Sequence, residues 1–202
     1  MMFNYFSSLL IGYLFGCFVT GYVVGKCIDK RDIRDFGSGN AGMTNTLRVL
    51  GWKAGAITLF GDFFKSVLAI LLAKYLFANA VDDRIIVVLT ATGIILGHNW
   101  PVFLNFRGGK GVASTFGLLA VMNFWIALIA AVFILTVMAT TRYVSLGSIL
   151  TSILIPILFL VLDKNQPYII FTVLLAILTI YKHKDNVKRL FAGTESKIGR
   201  KV

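Results

Sequence analysis

The chain has 202 residues, of which 57% are hydrophobic and only 14% are charged, with 20 Lys and Arg against 9 Asp and Glu. A soluble domain of this length carries a charge on about a quarter of its residues, because its surface must face water. The composition therefore excludes most soluble proteins and predicts that the chain lies in a lipid bilayer. Its two cysteines, Cys17 and Cys27, indicate neither a disulfide framework nor a metal site.

Apolar runs of membrane-spanning length recur along the chain. A helix needs about 20 apolar residues to cross about 30 Å of hydrocarbon. Runs of suitable length cover 4–25, 54–77, 85–104, 144–162 and 167–181. The uncharged stretch from Gly111 to Ala139 is ambiguous, since it is too long for one untilted span and too short for two.

Charge decides how that stretch is divided, because the cytoplasmic side of a membrane protein carries the excess of Lys and Arg. Basic residues concentrate in two segments, at Lys26, Lys30, Arg31, Arg34, Arg48 and Lys53 and at Lys182, Lys184, Lys188, Arg189, Lys197, Arg200 and Lys201. Both segments reach the same face only if the chain breaks near Asn123, with a short helix before the break and a full span over 124–140. The whole net charge of +11 then lies on the cytoplasmic face.

The predicted fold class is an all-α integral membrane protein of seven helices, one of them the short helix after a Gly-Gly-Lys-Gly sequence. The N-terminus lies outside, the C-terminus is cytoplasmic, and residues 1–202 form a single polytopic domain. Glycines four residues apart predict close helix packing; they are Gly12 with Gly16, Gly21 with Gly25, Gly51 with Gly55 and Gly93 with Gly97. Asp62 and Lys65, one helical turn apart inside a span, are expected to form a structural ion pair rather than a proton path.

The first of three polar stretches on the predicted cytoplasmic face combines glycine, hydroxyl and amide residues with an arginine. Its candidate phosphate ligands are Gly37, Ser38, Gly39, Asn40, Gly42, Thr44, Asn45 and Arg48. Closely spaced glycines let backbone N–H groups converge on an anion, and a guanidinium is a forked cation that matches phosphate. A turn followed by a helix cap also explains the Ser and Asn residues. It does not explain Arg48, so phosphate contact is favoured.

The second stretch joins Gly97 and His98 to a loop directly before the short helix. The loop residues are Gly108, Gly109, Lys110 and Gly111, and Ser114 follows in the helix. A flexible backbone, a lysine and a helix N-terminus together favour phosphate binding. A Walker A loop would need a glycine and a hydroxyl where the chain has Leu104 and Gly111, so nucleotide hydrolysis is not supported. His98 fits a structural role as well as a catalytic one.

The third stretch, residues 181–195, is expected at the membrane surface. A helix that continues from the last span would place His183 and Asn186 on one face. A basic flank after the span explains the lysines and arginines, but not His183, Asn186 or Glu195. A shorter patch that begins at Arg142 is interpreted as an anchor at the membrane interface. Together the three stretches describe an enzyme or carrier that binds two phosphates beside lipid.

These stretches resemble, in order and spacing, the motifs of the bacterial acyl-phosphate:glycerol-3-phosphate acyltransferase family. The resemblance covers nearly the whole chain and is carried by Gly37-Ser38-Gly39-Asn40 through Arg48, by Gly97-His98 with Pro101-Val102-Phe103, by Gly108-Gly109-Lys110-Gly111-Val112-Ala113, by Arg142-Tyr143-Val144-Ser145-Leu146, and by His183 and Asn186 with Arg189-Leu190, Gly193 and Glu195. Met43, Ser114 and Gly147 stand where the family usually has alanine, threonine and alanine. Of these, Met43 would narrow the phosphate pocket.

The resemblance implies transfer of a fatty acyl group from acyl phosphate to the 1-hydroxyl of sn-glycerol 3-phosphate, the first step of phospholipid biosynthesis. The products are lysophosphatidic acid and phosphate, and neither acyl-CoA nor acyl carrier protein is the direct donor. The residues implied to hold the glycerol phosphate are Ser38, Arg48, Lys110, His183 and Asn186. The glycine loops would receive the acyl phosphate, and Glu195 would be mainly structural.

The resemblance further implies a multi-pass protein of the bacterial inner membrane with its active site facing the cytoplasm. The expected partners are glycerol 3-phosphate, fatty acyl phosphate and membrane lipid, without nucleic acid, cofactor or metal. The chain is expected to be monomeric.

Acyl phosphate is an activated mixed anhydride, so direct attack by the glycerol hydroxyl needs no covalent enzyme intermediate. His183 could take the proton, or a phosphate oxygen of a substrate could do so. The main alternative is a membrane transporter of phosphate or a small organophosphate. A transporter places its cationic ligands near the membrane midplane, whereas these gather at one surface. A structural or assembly partner is a third possibility and predicts no turnover.

Overall fold

The computed structural model describes residues 1–77 and 82–198, and every regular element in those ranges is helical. Its α-helices are α1 (Met2–Cys17), α2 (Thr20–Asp29), α3 (Met43–Leu50), α4 (Trp52–Leu76), α5 (Asp83–Asn99), α6 (Val112–Met122), α7 (Phe124–Thr141), α8 (Val144–Leu158), α9 (Gln166–Lys182) and α10 (Lys184–Phe191). Short 3₁₀ turns cover Ile33–Asp35 and Val102–Leu104, and a π-helical turn follows α8 over Phe159–Asp163. The basic residues Arg200 and Lys201 lie outside the described residues.

Five segments of the described chain are long and apolar enough to cross a membrane. They are Met2–Asp29, Trp52–Leu76, Asp83–Leu104, Phe124–Thr141 and Val144–Asp163. The bent pair of α9 and α10 provides a sixth candidate, and α6 is a shorter apolar helix. These elements lie close to the predicted runs, and the all-α membrane fold class is confirmed. The number of crossings and the side on which each loop lies stay predictions.

The predicted break in the long uncharged stretch is confirmed at Asn123. Its Oδ1 accepts hydrogen bonds from the N–H groups of Trp125 at 3.1 Å and Ile126 at 3.2 Å, so Asn123 caps the start of α7. Its Nδ2 donates to Asp163 Oδ2 at 2.7 Å. Asn123 therefore interrupts the uncharged stretch and caps the helix that follows.

The contacts divide the chain into two compact units, Met1–Val121 and a second unit that begins at Met122. In the first, α1 packs closely along α5. Gly12 lies against the carbonyl of Thr90 and Gly93 lies against the carbonyl of Leu9, where a Cβ atom would collide. The predicted role in helix packing is confirmed for these two glycines, but it is wrong for Gly51, where a Cβ would meet nothing within 4 Å. A single domain over residues 1–202 stays a prediction.

The sequence predicted one continuous run over 4–25. The structure breaks this run into two helices. Helix α1 ends at Cys17, and α2 begins at Thr20 after an extended residue, Val19. A break inside a membrane segment leaves backbone groups without partners in the helix, so other atoms must bind them. Those atoms come from α4 and are described below.

In the second unit, α8 packs against α7 and α9, and α10 is bent by 60° from α9. The straight continuation assumed from the sequence is therefore wrong. Four of the first six residues of α10 carry a charge, namely Lys184, Asp185, Lys188 and Arg189. These charges favour water over hydrocarbon, so α10 turns away from the direction of the span.

Candidate active site

The loop before α3 contains the first group of predicted phosphate ligands. Gly37 and Gly39 adopt left-handed backbone angles, with φ of 60° and 70°. The Asn45 side chain is 2% exposed and donates from Nδ2 to the carbonyls of Ile33 and Phe36, both at 3.0 Å. Its Oδ1 accepts from the N–H of Ser38 at 2.8 Å. This geometry gives Asn45 the role of bracing the loop.

Gly37 is fixed by the same amide, because a Cβ at this position would collide with Asn45 Oδ1. Asn40 Oδ1 accepts from the N–H of Gly42 at 3.0 Å and closes a short turn before α3. Two side chains in this stretch reach toward solvent, since Ser38 is exposed and Arg48 on α3 is partly exposed. Thr44 is also partly exposed, in the first turn of α3.

The loop before α6 folds back on the end of α5. The N–H of Gly109 donates to the carbonyl of His98 at 3.0 Å, and the N–H of Gly108 donates to the carbonyl of Asn99 at 3.3 Å. Gly109 also lies against Nε2 of the His98 ring, where a Cβ would collide. Two of the glycine amides therefore hold the loop together. The donors suited to an anion are Lys110 and the first turn of α6.

Two hydroxyls in the first turn of α6 differ in their surroundings. Thr115 Oγ1 donates to the carbonyl of Gly111 at 2.9 Å. Ser114 is fully buried, and its Oγ has no hydrogen-bond partner among the described residues. A buried hydroxyl without a partner is costly, and a phosphate oxygen at this helix end is the kind of acceptor that would satisfy it.

Arg34 links the loops of the two stretches and was not singled out from the sequence. Its Nη1 donates to the carbonyls of Leu104 at 3.0 Å and Arg107 at 2.7 Å. Its Nε and Nη2 donate to the Asp32 carboxylate at 2.7 to 3.1 Å, and its guanidinium lies 5.0 Å from the centre of the Tyr22 ring. Arg34 therefore fastens the segment before the second glycine loop to the segment before the first.

The Arg34 guanidinium lowers the pKa of Asp32 through hydrogen bonds, although partial burial opposes that shift. A lowered pKa contributes stability above the pKa of the unfolded state, and that stability is lost as the pH falls through the folded value. At neutral pH, Asp32→Asn is expected to lower the free energy of unfolding by about 1 kcal/mol, a small value because solvent screens the pair.

The difference in the free energy of unfolding between the wild type and Asp32→Asn should shrink as the pH falls below about 3.9, the ordinary pKa of Asp. Thermal unfolding in detergent micelles at several pH values measures this. A difference that stays constant from pH 7 to pH 3 would show that Asp32 does not stabilise the loops as a carboxylate.

Asp62 and Lys65 form the predicted ion pair, with 2.8 Å between Oδ1 and Nζ. Both side chains are buried, and the pair extends further than the sequence indicated. Thr20 Oγ1 donates to Asp62 Oδ1 at 3.0 Å, and Lys65 Nζ lies 2.9 Å from Nδ1 of His98. The pair therefore joins the start of α2 and the end of α5. No sequence signal connected Thr20 with these residues.

In the second unit, Glu195 is the centre of a hydrogen-bond network. Its Oε1 accepts from Ser145 Oγ and from Asn186 Nδ2, both at 2.7 Å, and its Oε2 accepts from Arg189 Nε at 2.7 Å. Burial opposes ionisation of Glu195, but these three hydrogen bonds outweigh it and lower its pKa. The carboxylate thus fixes Asn186, a predicted substrate ligand, and agrees with the supporting role expected for Glu195.

His183 lies at the bend between α9 and α10 and is 3% exposed. Its Nδ1 is 2.8 Å from the carbonyl oxygen of Thr179. A carbonyl oxygen only accepts, so Nδ1 carries a proton, and when the ring is neutral Nε2 carries the lone pair. This is the arrangement that a general base requires. Arg142, the other predicted residue of this unit, is exposed, ends α7, and accepts from the N–H of Ile198 at 2.9 Å through its carbonyl.

Removal of the Glu195 carboxylate is expected to destabilise the fold strongly. Glu195→Ala leaves three donors without their acceptor and should lower the free energy of unfolding by about 3 kcal/mol. Glu195→Gln keeps one acceptor oxygen and should be intermediate. Thermal unfolding in micelles, followed by circular dichroism, measures both. Equal unfolding temperatures for the wild type and Glu195→Ala would contradict the network as described.

No group of three or more His, Cys, Asp or Glu side chains within residues 1–77 and 82–198 is arranged to hold a metal ion. Apolar helices with glycine, hydroxyl and basic groups gathered in their loops define an integral membrane protein with loops suited to phosphate. The family model described as glycerol-3-phosphate acyltransferase matches residues 6–193. The chain belongs to this family.

Individual proteins support the same assignment. The chain is 45% identical to a glycerol-3-phosphate acyltransferase of Thermoanaerobacter pseudethanolicus over 96% of both chains. It is 42% identical to one of Clostridioides difficile over 99% of this chain and 98% of the relative. The crystal structure of PlsY (YgiH), an integral membrane glycerol 3-phosphate acyltransferase, in its glycerol 3-phosphate form aligns with a TM-score of 0.89 and 33% identity over 96% of both chains. The lysophosphatidic acid form gives a TM-score of 0.86.

Proposed function

We propose that this protein transfers a fatty acyl group from acyl phosphate to the 1-hydroxyl of sn-glycerol 3-phosphate, giving lysophosphatidic acid and inorganic phosphate. The observation that carries this proposal is the family match over residues 6–193, which includes the first two polar stretches and the third as far as Gly193. Related structures in glycerol 3-phosphate and lysophosphatidic acid forms support the acceptor and the product. The reaction is the first step of phospholipid biosynthesis.

The residues proposed to hold glycerol 3-phosphate and orient its hydroxyl are Ser38, Arg48, Lys110, His183 and Asn186. Their chemistry supports this assignment, because a phosphate needs cations and hydrogen-bond donors in fixed positions. Asn186 is held by Glu195, and Ser38 and Arg48 reach toward solvent. A substrate that enters from water can meet Ser38 and Arg48.

The phosphate of the acyl donor is proposed to bind at the Gly108–Gly111 loop. The first turn of α6 supplies backbone donors, and the buried hydroxyl of Ser114 adds one more. Asn40 and Asn45 support the first loop through their amides and do not bind phosphate directly in this proposal.

The chemical step is a single displacement at the acyl carbon. The glycerol hydroxyl oxygen attacks that carbon, a new ester C–O bond forms, and the bond between the carbon and the phosphate oxygen breaks. The hydroxyl proton passes to His183 Nε2 or to a substrate phosphate oxygen, and phosphate leaves with the bonding electrons. Lys110 and Arg48 stabilise the negative charge as it develops. Binding and orientation supply most of the acceleration.

The proposed topology has seven membrane segments, an outside N-terminus and loops that face the cytoplasm of a bacterial cell, with a monomer as the working unit. Cysteine labelling in intact cells tests the sidedness. Cys27 is exposed and must first be replaced by Ser, whereas Cys17 is buried. Single cysteines at Lys110 and His183 should both resist a membrane-impermeant reagent added outside. Labelling of either one from outside would overturn the topology.

Purified protein in detergent micelles tests the function. Synthetic palmitoyl phosphate and labelled glycerol 3-phosphate should give labelled lysophosphatidic acid, and palmitoyl-CoA should give none. Micelles do not separate two aqueous compartments, so a transporter would have no gradient or second side to act on. It would give no labelled lysophosphatidic acid. Equal product from both donors would contradict the proposed donor.

A further inference from the structure

The turn that contains Arg34 and the first glycine loop form one hydrogen-bonded unit. Asn45 joins the carbonyl of Ile33, the residue before Arg34, to the N–H of Ser38. The backbone of the turn also lies close to the loop, because a Cβ added at Gly39 would be 3.5 Å from the carbonyl oxygen of Arg34. A change in the position of this turn therefore moves the first loop with it.

The Arg34 side chain holds the peptide unit at the start of the second glycine loop. Its Nη1 donates to the carbonyl of Arg107 at 2.7 Å, and this carbonyl belongs to the same planar peptide unit as the N–H of Gly108. That N–H donates to the carbonyl of Asn99 at 3.3 Å. The other N–H of Nη1 donates to the carbonyl of Leu104 at 3.0 Å. Hydrogen bonds on both sides fix the plane of this peptide unit, from which the loop continues.

The guanidinium of Arg34 is held by protein atoms and is not arranged as a phosphate ligand. Its Nε and Nη2 donate to Asp32, and with the two bonds of Nη1 these contacts use four of its five N–H groups. The side chain is only 11% exposed and lies over the ring of Tyr22. Arg34 therefore has a fixed position between the two loops and little capacity left for a substrate.

We propose that Arg34 is a positioning residue that sets the separation of the two glycine loops and so aligns the two substrates. In the proposed function, the loop of Ser38 contacts glycerol 3-phosphate and the Gly108–Gly111 loop binds the phosphate of the acyl donor. The glycerol hydroxyl must be aligned with the acyl carbon, and a misplacement of about 1 Å costs about 100-fold in rate. The catalytic consequence rests on the proposed function, but the fixed spacing of the loops does not.

The kinetics of Arg34→Met test the alignment. Methionine keeps an apolar stem and removes every donor of the guanidinium, while each loop retains its own internal hydrogen bonds. The KM for each substrate should therefore stay within about three-fold of wild type, whereas kcat should fall about 10- to 100-fold. Purified protein is assayed with palmitoyl phosphate and labelled glycerol 3-phosphate. The kcat is expressed per glycerol 3-phosphate site, counted by equilibrium binding, which separates slower chemistry from a loss of folded protein.

Two variants control for charge. Arg31→Met removes an exposed arginine three residues away and should leave kcat within about three-fold of wild type. Arg34→Lys keeps the charge, but one ammonium cannot replace donors on three separate nitrogens, so it should recover only part of kcat. Full recovery by Arg34→Lys, or equal losses of kcat for Arg34→Met and Arg31→Met, would show that charge alone matters and would overturn the proposal.

The other results that contradict the proposal differ in their kinetics. A higher KM for one substrate with unchanged kcat would make Arg34 a ligand of that substrate. Fewer binding sites with unchanged kcat per site would make Arg34 a residue that stabilises the fold only. Either result would overturn the positioning role.

The spacing of the loops is measured without the reaction by electron paramagnetic resonance. Cys27→Ser removes the exposed thiol, and Cys17 is buried. Spin labels on Asp35→Cys and Phe103→Cys, both at exposed positions, report the distance between the two segments that Arg34 joins. The distance distribution should be narrow when Arg34 is present and broader or displaced in the Arg34→Met protein.

An unchanged distance distribution in the Arg34→Met protein would overturn the proposal. Failure of the proposed function has a different signature. In that case wild-type protein would form no lysophosphatidic acid, while the effect of Arg34→Met on the distance between the labels would remain.

Discussion

Replacement of Lys110 with methionine is expected to lower kcat/KM by about 100- to 1,000-fold, the size of the loss when one donor to a developing oxyanion is removed. Lys110 lies in the loop before α6, between glycines that the structure packs against the end of α5. In the proposed mechanism its ammonium binds phosphate more strongly as the acyl bond breaks. Initial rates with purified protein, palmitoyl phosphate and labelled glycerol 3-phosphate measure the effect.

Two controls separate direct contact from general charge. Arg107→Met removes an exposed cation three residues away and should change kcat/KM by less than about three-fold. Lys110→Arg keeps the charge but changes its shape, and should recover part of the activity. Losses of similar size for Lys110→Met and Arg107→Met would mean that Lys110 acts only as part of the basic surface.

The second large effect is expected for His183→Gln, which should lower kcat by about 100-fold or more if His183 takes the proton. The Thr179 carbonyl accepts from Nδ1, which leaves Nε2 of the neutral ring with the lone pair that a base needs. Gln keeps a hydrogen-bonding group but cannot accept a proton at neutral pH. Single-turnover rates at saturating substrates measure the chemical step.

Lys184→Met is the matched control, because Lys184 is exposed and adjacent in the chain. Its kcat should remain within about two-fold of wild type, as is usual for a surface charge. A decrease in kcat of less than ten-fold for His183→Gln would exclude His183 as the base. A phosphate oxygen of a substrate would then be the proton acceptor.

The sequence predicted those parts of the fold that depend on local pattern. Apolar length located the long apolar helices, and the positive-inside rule required a break near Asn123, where the structure has a helix cap. The break at Phe18 was not predictable in the same way, because apolar residues stand on both sides of it. It depends on Lys65 and Asp62, which lie more than 40 residues away in the chain.

The roles of several residues in the candidate site were also not predictable from local sequence pattern. Residue types identified the two glycine loops, and a resemblance identified His183 and Asn186. Arg34 was not distinguished from other basic loop residues, since its partners include backbone carbonyls 70 and 73 residues away. Asn45 is of a residue type that suits a phosphate ligand, but its side-chain amide donates to backbone carbonyls and holds the loop. Such roles depend on contacts between residues that are distant in the chain. Composition does not predict those contacts.

The fate of one oxygen atom tests the central claim most directly. Palmitoyl phosphate labelled with ¹⁸O in the bridge between carbon and phosphorus is supplied to purified protein with unlabelled glycerol 3-phosphate. Attack at the acyl carbon sends all of the ¹⁸O into inorganic phosphate and leaves none in lysophosphatidic acid, and this is the expected result. Recovery of the ¹⁸O in free palmitate, with the phosphoryl group transferred to glycerol 3-phosphate, would contradict acyl transfer.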